Sequence, residues 1–453
     1  MNEHSNMPLH APTNAQMREP GYDTRPAFDA RLARRLARLT KRVVQALLRL
    51  AIGAAGYGAR PGALPQRGAA RGRVRRILVV RVDLLGDVVL TLPAVRALRR
   101  AYPEAAIDLL ALKSTAAILA GDPDVTRVLA CDPTLLQHPW KLLRGGNRRE
   151  LKALLRTLRE AHYDLALSMC GDVASILTRL AAPHQSFGYA REAYPFLLTD
   201  TLPGGRYHTR QHEVSYVLDL AVAAGGVALP EDARPRLYVA PEVAARMRDV
   251  LARAREERGV RGPVVAIHVG ARNGQAKRWP PAHIAALAER LTRELDALVA
   301  LTGAPNEAEL AAAVVRRCGA PVLNLVGRTT VPELAALLAA SDLCVSGDSG
   351  PMHIAGAVGT PVVALHGPTD PAQSGPTAPD ALVLRRELWC APCYDPRATA
   401  ECRFGNPVCM KELAPSLVFA AVRRQLARHG WDAARAKSGR PPVLTTTERV
   451  GAD

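Results

Sequence analysis

From Ile77 onward, short apolar runs alternate with amphipathic stretches: Ile77 to Val80 then Leu92 to Ala101, Ala106 to Ala111 then Ser114 to Leu119, and then Val125 to Ala130. Apolar runs of about four to eight residues, separated by segments of helical period, are the signature of buried parallel strands joined by crossover helices. A basic helical stretch from Leu142 to Ala161 leads to a strand over Asp164 to Ser168. Pro230 to Pro241 interrupts the rhythm, and it then resumes. The pattern predicts helix Val243 to Glu257, strand Val264 to His268, helix Ala282 to Glu294, strand Ala297 to Thr302 and helix Glu307 to Arg317. Strand Val322 to Leu325, helix Val331 to Ala340, strand Leu343 to Ser346, helix Met352 to Val358 and strand Pro361 to Leu365 follow, and helix Pro415 to Arg428 closes the fold. Such alternation predicts an α/β protein of two doubly wound, Rossmann-like parallel-sheet domains facing across a cleft.

The chemistry-bearing residues cluster where strands hand over to helices. After Leu343 to Ser346 come Gly347, Asp348, Ser349 and Gly350, with His353 one turn further. The first turn of a helix exposes unpaired N–H groups with about half a unit of positive charge, and glycines let a ligand approach the backbone, so this junction suits an anion. Asp348 would read hydroxyls there; its bland alternative is a helix cap in a tight turn. The loop after Val264 to His268 carries Lys277 and Arg278, and a cationic loop beside a helix N-terminus suits a diphosphate. Glu307 follows Thr302 to Asn306 at a strand end, where it can accept two ribose hydroxyls or simply favour a helix dipole.

With the segment from Ile77 through Arg81, Asp83, Gly86 and Asp87 to Pro93, these pieces occur in an order that resembles glycosyltransferase family 9, the ADP-heptose-dependent heptosyltransferases of lipopolysaccharide core assembly, over residues 76 to 425. The resemblance implies the GT-B architecture. It implies Asp87 as the base on the acceptor hydroxyl, the alternative being an N-cap for the helix containing Leu92, and Lys277 against the donor diphosphate with Arg278 assisting. It places Ser349 and Gly350 N–H groups on phosphate and Asp348 on the donor sugar. His353 would reach the diphosphate or serve as a buried cap, and Arg81 would hold a donor phosphate or an anionic acceptor. The implied reaction is a single in-line displacement that inverts the anomeric centre, takes heptose from ADP-heptose to a lipid A-Kdo acceptor and releases ADP. No Asp-x-Asp motif stands beside these loops, so no cofactor is expected for catalysis.

Composition adds a flanking segment. The 453 residues are 48% hydrophobic and 23% charged, enough for two domains. The formal net charge is +18, and residues 1 to 76 hold fifteen Lys or Arg against four Asp or Glu, so much of the excess precedes the first strand. Phe28, Leu32, Leu36, Leu39, Val43, Leu47 and Leu50 draw one apolar stripe on a helix whose other faces carry arginines, which suits an anionic membrane surface; docking on the protein itself is the alternative. No apolar run of about twenty residues spans a bilayer and no secretory signal is evident, so a cytoplasmic enzyme, peripheral on the inner membrane, is expected. Nucleic acid is not expected, for no recognition pattern accompanies the basic segment.

The organisation reads as a basic extension with amphipathic helix and linker over 1–75, an acceptor domain over 76–241, a nucleotide-sugar donor domain over 242–435 and a tail over 436–453. Cys390, Cys393, Cys402 and Cys409 are spaced C-x2-C-x8-C-x6-C, which can place four thiolates around a structural zinc or iron. The cluster resembles the four-cysteine iron finger of relatives that glycosylate autotransporter proteins, without matching its spacing closely. A protein O-heptosyltransferase, or a transferase of another activated sugar, is the alternative reading. From other classes come a nicotinamide-dependent dehydrogenase, disfavoured because no G-x-G-x-x-G follows the first strand, and a non-catalytic basic membrane- or nucleic-acid-binding protein.

Overall fold

A computed structural model describes residues 74–132 and 145–431, apart from 193, 207, 209, 273, 379 and 395–400. The expected amphipathic helix, most of the linker, the tail and part of the loop before Ala161 lie outside the described residues. Two six-stranded sheets are present, all parallel. The first holds β1 (Arg76–Arg81), β2 (Ala106–Leu112), β3 (Arg127–Cys131), β4 (Leu165–Ser168), β5 (Gln185–Tyr189) and β6 (Asp200–Leu202), in the order β3-β2-β1-β4-β5-β6. The second holds β7 (Val264–His268), β8 (Leu298–Thr302), β9 (Leu323–Asn324), β10 (Leu343–Gly347), β11 (Val362–His366) and β12 (Leu382–Arg385), in the order β12-β11-β10-β7-β8-β9. The second order is the first read backwards, so each sheet reverses direction once, between β1 and β4 and between β7 and β10. Ligands of open α/β sheets bind outside the carboxyl ends of the strands at such switch points.

The connecting helices are α1 (Leu85–Ala101), α2 (Gly145–Glu160), α3 (Asp172–Leu180), α4 (Glu213–Ala223), α5 (Pro241–Arg258), α6 (Pro281–Leu295), α7 (Ala308–Arg317), α8 (Val331–Ala339), α9 (Gly350–Ala357), α10 (Pro371–Ser374), α11 (Val408–Lys411) and α12 (Pro415–Arg428). Central strands are covered on both faces, and five of the six residues of β1 are buried, hence the unbroken apolar runs in the sequence. α1 begins seven residues before Leu92 and runs through Pro93. Proline withholds the N–H that the Val89 carbonyl would receive, yet Val88, Val89, Leu90 and Leu92 are all buried, and that packing holds the first turns helical. β5, β6, α3, α4 and β12 were not expected: β6 has three residues, and β12 alternates between half-buried and exposed positions at the sheet edge.

The two switch-point helices meet end to end. A Cβ on Gly86 would lie 2.6 Å from His353 Cδ2 and 3.4 Å from Gly350 Cα, and one on Gly350 would lie 3.2 Å from Leu85 Cβ. Behind this contact Val88 and Val89 of α1 share one apolar core with Met352 and Ile354 of α9. The crossing segment is tied down as well: Leu237 N–H donates to Ala357 O at 3.0 Å, and the Arg96 guanidinium donates to Arg234 O at 3.1 Å and Arg236 O at 3.3 Å. Gly86→Ala should therefore destabilise the protein by about 1–3 kcal/mol through overpacking and lower its turnover. Gly145→Ala, where a Cβ meets nothing within 4 Å, should leave both the melting temperature and the rate close to wild type.

Candidate active site

At the end of β1, Arg81 is wholly buried. Its Nη2 lies 2.7 Å from Glu213 Oε1, 3.1 Å from Asp87 Oδ1 and 3.7 Å from Asp83 Oδ2. Arg206, from the loop after β6, covers the same carboxylates: Nη1 pairs with Asp83 Oδ2 at 2.9 Å, Nε with Glu213 Oε2 at 2.7 Å, and Nη2 with Asp87. The Arg206 amide donates to Glu192 Oε1 at 2.9 Å, and Glu192 also accepts from Tyr216 OH at 3.3 Å. Two guanidiniums, from β1 and the loop after β6, thus hold three carboxylates, from the β1–α1 turn, α1 and α4. Burial opposes ionisation of Asp87, but Arg206, Arg81 and His353 outweigh it and bring the carboxyl down to about 2. Burial and the Asp87 charge push Asp83 the other way, upward, against the pull of Arg81 and Arg206. The N-cap of α1 is Leu84, not Asp87, which sits inside the first turn; the capping alternative for Asp87 does not hold.

The β10 junction faces this network. Lys277 Nζ lies 3.1 Å from Asp348 Oδ2 and 4.6 Å from the Tyr394 ring centre, with which it makes a cation–π contact. Burial would raise the Asp348 pKa, but Lys277, His366 and His353 lower it. Ser349 is the N-cap of α9, so Asp348 is free of the capping role proposed as its alternative. His353 is pushed down to about 4 by burial, against the pull of both Asp348 and Asp87. It is therefore neutral near pH 7 and stands between the two junctions. Its Nδ1 is buried with no hydrogen-bond partner among the described residues, as is Nε2 of His366 at the end of β11. Arg278 is half-buried beside Lys277, and its Nε likewise has no partner among the described residues.

Glu307 sits at the next strand end along the same edge. Its Oε2 accepts from Ala304 N–H at 2.8 Å, and its carboxylate lies directly over Gly270, where a Cβ would fall 1.7 Å from Oε1. His268 is 3.9 Å away through Nε2 and burial pushes its pKa down.

The structure thus brings together Arg81, Asp87, Lys277, Asp348, Ser349, Gly350 and His353, with Arg278 and Glu307 flanking them. Sequence reasoning missed Arg206, Glu213, His366 and Tyr394. Glu213 carried a faint signal, a carboxylate opening an otherwise apolar helix; Arg206 carried none.

The four clustered cysteines are free thiols and are neighbours. Cys409 is pushed up to about 11 by burial and by Cys393, Cys402 and Cys390. The expected zinc or iron site is not supported: among the described residues no group of three or more His, Cys, Asp or Glu side chains could hold a metal ion. Cys402 donates to Asn406 O at 3.3 Å, and the amides of Cys393 and Tyr394 both donate to Pro368 O at 2.8 Å.

Comparison with known proteins decides the family. The model of glycosyltransferase family 9 (heptosyltransferase) matches residues 151–403. Lipopolysaccharide heptosyltransferase 2 of Salmonella typhimurium is 31% identical over 325 residues, covering 68% of this chain and 88% of that protein. The chain belongs to glycosyltransferase family 9. It is an enzyme, a glycosyltransferase of the heptosyltransferase family. Lipopolysaccharide heptosyltransferase 1 of Pseudomonas aeruginosa is 28% identical over 372 residues, covering 78% of this chain and 98% of that protein. Among solved structures, the Veillonella parvula member of family 9 superposes with a TM-score of 0.65 at 21% identity, over 78% of this chain and 98% of that one. The Escherichia coli ADP-heptose lps heptosyltransferase II does so with a TM-score of 0.61 at 24% identity, over 78% and 99%. The fold is GT-B, as expected from the sequence.

Acid should unfold this site in two stages. Unfolded, His353 titrates near 6.5, but folded only near 4, so between those values the unfolded chain binds more protons and stability falls as pH is lowered. The depressed carboxylate Asp87 contributes stability that is lost only further down, from about 4 towards 2. Melting temperature measured from pH 7 to 4 should decline, and His353→Gln should flatten that decline.

Proposed function

We propose that this enzyme transfers heptose from ADP-heptose to a hydroxyl of a lipopolysaccharide core acceptor, lipid A-Kdo, with inversion at the anomeric carbon. The observation that supports this most is the meeting of two switch points, one carrying a base and the other a cation beside a helix N-terminus. In this reading the segment 76–241 presents the acceptor and 242–435 the donor. The diphosphate lies on the N–H groups of Ser349 and Gly350 and against Lys277, which exchanges Asp348 for phosphate, with Arg278 alongside. Asp348 then turns to the sugar hydroxyls, and Glu307 Oε1 receives ribose. His353 and His366, neutral and with free ring nitrogens, supply hydrogen bonds without adding charge to the site.

The reaction is one displacement. The acceptor hydroxyl gives its proton to Asp87 as its oxygen bonds to the anomeric carbon; the opposite carbon–oxygen bond breaks and its electron pair leaves on ADP, stabilised by Lys277 and the α9 dipole. Excluding water protects the sugar nucleotide from hydrolysis, and the abutting helices close one wall. Among the described residues no helix is long and apolar enough to cross a membrane, and we place the enzyme on the cytoplasmic face of the inner membrane, held there by its basic amino-terminal segment.

Calorimetric titration with ADP, UDP, GDP and ADP-heptose should show selective binding of the adenosine ligands, weakened about ten- to hundredfold in Lys277→Ala, the value of a charge-assisted hydrogen bond. Tighter binding of UDP or GDP would overturn the donor assignment. Asp87→Asn should bind ADP-heptose as wild type does and lose about 10²–10⁴ in kcat.

A further inference from the structure

The acceptor base is covered. Asp87 Oδ1 is paired with both Arg206 and Arg81, and a carboxylate so engaged is a poor proton acceptor until a partner leaves. The two guanidiniums differ in their freedom to do so. Arg81 is fixed at the end of β1 with a wholly buried side chain, whereas the Arg206 side chain is 19% exposed and projects from a loop. Arg206 is also bonded so that it can swing: its Nε is held by Glu213 Oε2 at 2.7 Å, while Nη1 and Nη2 pair separately with Asp83 and Asp87.

We propose that Arg206 is a latch on Asp87, released when an anionic group of the acceptor takes over the Nη1–Nη2 edge of its guanidinium. The proposal rests on the reading of Asp87 as base. A neutral acceptor cannot open the latch, since only a ligand with different affinity for the closed and open arrangements shifts their balance. A carboxylate or phosphate can, because the planar guanidinium binds either one bidentately and so recovers the two bonds given up. Glu213 is the pivot and Arg81 keeps Asp87 aimed once the latch is open. The proton then passes from the acceptor hydroxyl to the uncovered Asp87 carboxylate. Arg206 is on this account a positioning and specificity-determining residue, and the enzyme tests its acceptor for charge before arming its base. The groups facing Asp87 are Arg206, Arg81, His353 and Asp83, and those facing Arg206 are Asp87, Glu213, Cys170, Asp83, Glu192 and, as a like charge, Arg81; release of Arg206 uncovers Asp83 together with Asp87, and Arg81 stays on both.

The test compares kcat/KM for three soluble acceptors, a deacylated lipid A-Kdo fragment, its carboxylate methyl esters and its dephosphorylated form, in wild type, Arg206→Ala, Arg206→Lys and Asp87→Asn. Wild type should lose about ten- to hundredfold on whichever neutralised acceptor lacks the releasing anion, which also tells carboxylate from phosphate. Arg206→Ala should lose that discrimination at unchanged KM for the donor, with the acid limb of kcat/KM moved to higher pH because one charge depressing Asp87 is gone. Arg206→Lys should recover part of the discrimination. Arg206→Ala that still discriminates as wild type does, with the acid limb unmoved, would overturn the latch, as would a lower melting temperature with uniformly lower kcat and discrimination intact. Should Arg206→Ala not fold, Arg206→Lys and Glu213→Gln carry the same comparison. An Asp87→Asn enzyme as active as wild type would instead sink the base assignment itself, separately from the latch.

Discussion

The end-to-end contact of α1 and α9 is the constraint on which everything else depends. Gly86 and Gly350 allow the two helix N-termini to abut directly, with the His353 ring packed against Gly86. Each N-terminus carries about half a unit of positive charge, and Arg81, Arg206 and Lys277 add three more cations. Such a concentration of charge stands only if anions are built in, which is the role of Asp83, Asp87, Glu213 and Asp348. A neutral His353 between the junctions follows from the same balance, since burial there holds its proton off. In the proposed reading an incoming diphosphate replaces the buried Asp348 on Lys277, and the hydroxyls of the donor sugar become the partners of the released carboxylate.

Buried ion pairs of this kind seldom stabilise a fold by much, because desolvation offsets attraction. Arg81 makes the point, as its Nε and Nη1 are buried with no hydrogen-bond partner among the described residues. Their worth lies in direction. Glu213 engages both guanidiniums, Glu192 takes the Arg206 amide, and Tyr216, stacked on Tyr189 with ring centres 4.1 Å apart, holds Glu192. Asp87 is oriented through this chain of contacts from α4 and β5.

Much of this was legible in the sequence, for identifiable reasons. Central strands such as β1, β7 and β10 are buried on both faces and so write continuous apolar runs, while β6 and β12 at the edges are short or half-exposed and do not. Asp87, Lys277, Asp348 and His353 were legible because switch-point loops sit next to their strands in the chain. Arg206 and Glu213 were not, since they reach Arg81 and Asp87 across 119 to 132 residues of sequence and nothing local marks them. Pro93 hid the first turns of α1 and made Asp87 look like a cap. The cysteine spacing foretold a neighbourhood of thiols, while the expected metal site found no support among the described residues, since spacing fixes proximity and not the convergence of four sulfur atoms.

The central claim is that the two junctions form one site, with the donor held by the second sheet and the base supplied by the first. The most direct test is a crystal structure of Asp87→Asn with intact ADP-heptose. The account predicts the diphosphate against Lys277 and the N–H groups of Ser349 and Gly350, with the anomeric carbon turned towards the side chain at position 87. A sugar nucleotide bound elsewhere, or with its anomeric carbon facing away from α1, would contradict it.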